Sequence, residues 1–202
     1  MTKTKRNLII IFSSLAFLAI LVTVGYTGFE YVNNKIEELS KPRTVYSYDD
    51  KFEIQLPKRM DFTPTKGEMN KEACFEVRDG LDKYFMITIA ESRQQYADLG
   101  VDINYDKYID LYIANFITWF STDVSEVKEF VTPDSRKIKY VEFDAVVDSN
   151  DIHYVAYFFE TQNNYAMMLF YSLPANQEIM KMISEDIVPT FKEKGKQAVA
   201  PM

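Results

Sequence analysis

The chain holds one histidine and one cysteine, and both limit its chemistry. His153 follows Asp151 directly after a turn-forming stretch, and an imidazole beside a carboxylate has the makings of a general base or a metal ligand. No nucleophile motif accompanies it, so the stronger reading is a solvent-facing histidine at a strand edge. Cys74 lies in an alternating run with Ala73, Phe75 and Val77, which reads as a buried, inert thiol. A lone Cys excludes an intramolecular disulfide and thiolate-rich zinc sites, and a lone His excludes paired-histidine metal motifs.

Asp148, Asn150 and Asp151 crowd oxygen ligands into one turn, the donor type calcium prefers. A helix-loop-helix calcium site needs about twelve residues ending in a bidentate Glu, so plain turn chemistry accounts for these three. Glu142 and Asp144 stand two apart on one strand face, near enough in principle for the shared-proton behaviour of paired carboxylates, and a solvated or helix-edge position explains them equally well. No residue pattern calls for a cofactor. The aromatics include 14 Tyr and 15 Phe, most of them core. Tyr105, Tyr108, Tyr112 and Trp119 differ in spreading over more than one face of a helix, and a tyrosine needs a wet or hydrogen-bonded end. Tyr108 and Trp119 are therefore the candidate partner-binding residues.

The elements that carry these groups follow from length and patterning. At 202 residues, with 47% hydrophobic and 26% charged residues and few Gly or Pro, the chain suits one folded domain with an appendage. The appendage is N-terminal. Residues 1–7 carry Lys3, Lys5 and Arg6 and no acid, and residues 8–26 are nineteen positions without a charge. As a helix this run spans about 30 Å, the thickness of a bilayer's hydrocarbon core. It is long for a cleaved signal and lacks a small-x-small exit, so it reads as a retained anchor. No Cys ends it, which excludes a lipoprotein signal. The basic tail stays cytoplasmic and residues from about 28 onward lie outside. Beyond residue 7 the chain carries 20 Lys and Arg against 30 Asp and Glu, a balance that disfavours nucleic acid.

Residues 27–45 read as a juxtamembrane stalk stopped at Pro42. Apolar and polar residues then alternate at 52–57, and the runs at 74–77 and 84–90 flank Asp79-Gly80-Leu81-Asp82 as a hairpin. Residues 104–121 place Tyr105, Ile109, Tyr112, Phe116 and Phe120 at helical spacing. Strands follow at 127–131, 138–148, 152–161 and 165–172, joined by turn residues as an antiparallel meander. The last strands are apolar on both parities, which demands cover on both faces of the sheet. A second helix at 175–191 presents Ile179, Met182, Ile183, Ile187 and Phe191, and residues 192–202 read as a disordered tail. The fold class is α+β: an antiparallel meander covered by helices on both faces, an α-β-α sandwich, preceded by one transmembrane helix.

Residues 46–191 resemble the PsbP-like family of bacterial secreted or membrane-anchored proteins. The resemblance rests on Phe52-x-Ile54-x-Leu56-Pro57, the Cys74-Phe75-Glu76-Val77 and Ile87-Thr88-Ile89 strands, the turn at Asn163-Asn164, and the closing Ile187-Val188-Pro189-Thr190-Phe191. Lys58-Arg59-Met60-Asp61-Phe62 stands where a tryptophan often follows in such chains. The family transmits no catalytic set, so the resemblance implies a non-enzymatic binding or assembly protein. A single-pass protein whose outer domain binds a protein or envelope component is the expectation. The alternatives are an enzyme acting on envelope polymers through Glu142 and Asp144, and a calcium- or metal-binding envelope sensor.

Overall fold

The alternation read at 52–57 places Phe52, Ile54 and Leu56 on one buried face, and the same rule builds most of the domain. The computed structural model describes residues 38–81, 83–118, 121 and 123–195. The anchor expected at 8–26, its basic tail and most of the stalk lie outside these residues. Among the described residues no helix is long and apolar enough to cross a membrane. The chain divides into units Met1–Lys41 and Pro42–Met202, and every element below belongs to the second.

Seven antiparallel strands form the main sheet in the order β3-β4-β5-β9-β8-β7-β6. They are β3 (Met60–Phe62), β4 (Ala73–Asp79), β5 (Tyr84–Ser92), β6 (Lys128–Val131), β7 (Lys137–Val147), β8 (Asn150–Glu160) and β9 (Asn164–Ser172). A three-stranded sheet holds β1 (Pro42–Tyr46), β2 (Phe52–Pro57) and β10 (Lys192–Glu193). Between β5 and β6 run α1 (Arg93–Asp98) and α2 (Tyr105–Tyr112), the latter continued by a π-helical turn at Ile113–Ile117. Helix α3 (Gln177–Ile187) follows β9. The β4–β5 turn is tight at its glycine: Gly80 donates its N–H to the Arg59 carbonyl, and a Cβ there would sit 3.0 Å from that oxygen.

Two cores sandwich the main sheet. Val155, Tyr157 and Phe159 of β8 join Met180, Ile183 and Ile187 of α3 together with Phe52, Ile54 and Leu56 of β2. Ala156 and Phe158 face the other way, onto Tyr108, Ile109 and Ile117. Both faces are covered as the apolar parities demand. One cover is α2 with its π turn. The other is α3 together with the small sheet, which corrects the expectation of helices alone.

Several boundaries move. Pro42–Tyr46 is a strand, not stalk, because it pairs with β2 along its whole length and buries Val45 opposite Ile54. The tail expected to be disordered begins as β10, where Lys192 and Glu193 pair with Glu53 and Phe52 and occupy what would be a free edge of β2. The expected long helix is regular only to Tyr112. Asn104 caps it, accepting the Lys107 N–H at 2.9 Å. The wider π turn then delays the helical phase by one residue, so Ile117 is fully buried where Phe116 was expected. In α3 the buried stripe is Met180, Ile183, Ser184 and Ile187, which leaves Ile179 and Met182 exposed.

Candidate functional site

The β7–β8 hairpin closes on two residues, Asp148 and Ser149, both at positive φ, with Val147 opposite Asn150. Two successive left-handed residues match the twist of the flanking strands, as hairpin turns of this length require. Asn150 and Asp151 thus belong to β8, so the three oxygen donors read as one turn are spread along a strand start. Among the described residues no group of three His, Cys, Asp or Glu is arranged to hold a metal ion.

The same register sets Asp144 directly opposite His153 and Glu142 opposite Val155. Residues spaced by two share a face, so Glu142, Asp144 and His153 converge on the side of the sheet that α3 covers. His153 Nδ1 lies 2.7 Å from Asp144 Oδ1, and its Nε2 lies 4.0 Å from Glu142 Oε2. Lys128 of β6 and Lys181 of α3 each bring Nζ to 3.1 Å from Glu142 Oε1. Asp144 is 78% exposed, whereas Glu142 is largely covered at 17%. Partial burial by itself would raise the Glu142 pKa, but the hydrogen bonds and charges of Lys181 and Lys128 outweigh it and hold the carboxyl below its ordinary value. The Lys181 ammonium is correspondingly raised, its burial overcome by Glu142. A carboxylate held ionised by two cations is poorly suited to donate a proton. The cluster instead ties β6, β7, β8 and α3 together.

Cys74 sits at an irregularity of β4 where the register shifts between Ala73 and Phe75. The shift turns Cys74 and Phe75 into the same core, and burial pushes the thiol up to about 12. Glu76, next along, carries a signal the residue pattern held but did not resolve: a lone acid between Phe75 and Val77. It is fully buried and accepts the main-chain N–H groups of Glu68, Met69 and Asn70 at 3.0, 3.2 and 2.7 Å. That carboxylate fastens the long β3–β4 connection to the sheet.

Tyr108 is fully buried, stacked on Tyr165 at 5.0 Å and tilted against Tyr112 at 4.9 Å. This corrects its assignment to a partner-facing patch. Position 108 lies beside Ile109 on the sheet-facing stripe of α2, and burial raises its phenol far above the ordinary value. Trp119, the other candidate, lies outside the described residues.

The exposed apolar surface of this helical layer lies elsewhere. Leu99 is 73% exposed, Val101 44% and Leu111 41%. Val101, Ile103, Leu111 and Ala114 line a groove of about 350 Å³ beside α2. Asp102, Lys107 and Asp110 complete its lining. Positions 107, 110, 111 and 114 are three or four apart, so the groove follows one side of the helix. A larger cleft of about 690 Å³ near β10 is lined mostly by polar residues, and its charged side chains all have partners: Lys194 with Asp50, Lys51 with Asp49, Arg93 with Glu160, and Glu193 with Asn163 and Asn164.

No protein-family model and no curated protein matches this sequence. Solved structures do match in fold. The chain is similar to cyanobacterial PsbP (CyanoP) from Synechocystis, with TM-score 0.50 and 12% identity over 77% of this chain and 94% of that one. It is also similar to a protein of Bacteroides thetaiotaomicron, with TM-score 0.53 and 10% identity over 79% of this chain and 51% of that one. The domain has the PsbP-like fold.

Proposed function

We propose that this PsbP-like domain is the extracytoplasmic part of a single-pass membrane protein and works by binding a partner, without catalysis. The observation that carries the reading is the groove beside α2, where Leu111 of the helix and Val101 of the connection before it stay exposed while Tyr108 and Ile109 are packed on the sheet. The uncharged run at 8–26 behind Lys3, Lys5 and Arg6 supports the anchor and its orientation. With Glu142 held ionised by two lysines, the acid of a two-carboxylate enzyme would have to be Asp144, and its 78% exposure, outside any apolar cleft, weighs against that reading.

Two measurements test this. Protease added to intact cells removes the domain if it lies outside, and full protection sinks the orientation. A photo-crosslinking amino acid at Leu111 forms a discrete adduct in native membranes, while the same group at the exposed Val146 does not. Equal adducts at both positions, or none at Leu111, argue against the groove as a binding surface.

A further inference from the structure

We propose, building on the binding role above, that the groove beside α2 receives a cationic amphipathic helix of a partner protein, its apolar side chains against Val101, Ile103 and Leu111 and its Lys or Arg against Asp102 and Asp110. The phase of α2 leaves one apolar side chain outward. Tyr108 and Ile109 face the sheet, and Asp106, Lys107 and Asp110 share the remaining surface with a single large apolar residue, Leu111. Leu111 shares the lining of a shallow groove along the helix with Val101 and Ile103, which the connection from α1 supplies. A groove lined at helical spacing suits a helix laid alongside it.

The exposed lining is almost wholly apolar, and two acidic residues, Asp102 and Asp110, flank it. Asp98 accepts from Gln94, and Asp106 is ion-paired with Lys139 of β7. Asp102 and Asp110 have no ion-pair partner among the described residues. The cation in the lining, Lys107, donates to the Asp102 carbonyl at 3.1 Å and is held on main chain. The surrounding field favours the same sign of ligand, since residues 42–195 carry 17 Lys and Arg against 27 Asp and Glu. That field discriminates between occupants. A second copy of this acidic chain is repelled, and anionic lipid headgroups are repelled by Asp102 and Asp110, whereas a basic apolar helix satisfies both features at once.

The experiment uses the full chain in phosphatidylcholine nanodiscs and a fluorescein-labelled Leu/Lys amphipathic peptide of about 18 residues, read by anisotropy against empty discs. Saturable binding is expected. Asp102→Asn with Asp110→Asn should weaken it about tenfold or more and flatten its salt dependence, and Leu111→Gln should weaken it comparably. Asp148→Asn with Asp151→Asn, which removes the same charge from the β7–β8 hairpin, should leave binding within about twofold. The proposal is overturned if the hairpin pair weakens binding as much as the groove pair. It is equally overturned if Leu111→Gln binds like the parent, if a Lys→Gln version of the peptide binds as well, or if no binding exceeds that of empty discs. Melting curves check that each variant is folded. Co-elution of the chain with the discs reports the anchor separately. A chain that stays outside them contradicts the membrane reading alone, and the same titration is then run without discs.

Discussion

His153 Nδ1 and Asp144 Oδ1 meet at 2.7 Å across directly opposed positions of β8 and β7, so a surface carboxylate orients the only imidazole of the chain toward Glu142. Because Asp144 is 78% exposed, solvent and salt screen this contact. Asp144→Asn is expected to change unfolding free energy by less than about 1 kcal/mol in denaturant titrations. A loss several times larger would mean that the pair holds the hairpin in place.

Glu142 predicts a pH dependence. Its folded-state pKa lies below the ordinary 4.5, so its contribution is fully present above that value and is lost as pH falls through the lower folded value. Urea midpoints followed from neutral pH into the acid limb should fall more steeply for the parent than for Glu142→Gln. Parallel curves would remove the lysine clamp from the account of stability.

Glu76 should be among the most costly single acids to remove. Glu76→Ala leaves three main-chain donors of the β3–β4 connection without their acceptor, a loss of about 3 kcal/mol or more. Hydrogen exchange at Glu68, Met69 and Asn70 should accelerate in that variant before the sheet does, and unchanged protection there would contradict the assignment.

The π turn makes a prediction opposite to that of a regular helix. Ile117→Ala should cost about 2 to 5 kcal/mol, and Phe116→Ala less, because Ile117 is fully buried and Phe116 only partly so. Thermal melts of the two variants decide the helical phase directly.

Tyr108 offers the reverse kind of test. Its ring is buried among Tyr112, Phe158 and Tyr165, and its hydroxyl, with the Tyr112 hydroxyl nearby, makes no well-aligned hydrogen bond among the described residues. Tyr108→Phe should therefore be neutral or stabilising by about 1 kcal/mol, whereas Tyr108→Ala should cost about 3 to 5 kcal/mol. A clear loss in the Phe variant would show that the hydroxyl is bonded after all.

Residue order alone determined the alternation of Phe52, Ile54 and Leu56, the two apolar parities of residues 152–161 and the turn residues between strands, because strand faces and tight turns are local properties of two to five residues. The PsbP-like fold was legible from these. Local pattern also paired Glu142 with Asp144 and singled out His153, but bringing His153 to that pair depends on the β7–β8 register, which a two-residue turn decides. Helical phase was the weakest inference, since α2 and α3 carry apolar residues on more than one side and a single π turn moves Ile117 into the place of Phe116. Tyr108 passed from surface candidate to core for the same reason. The short strands β3 and β10 carry too few residues for a periodic signal and β1 buries Val45 alone, and all three form because a neighbouring edge needs its hydrogen bonds satisfied. The groove beside α2 and the loop held by Glu76 likewise join segments distant in sequence or loosely patterned, so only tertiary packing, which selects one face of each helix and one partner for each buried charge, could place them.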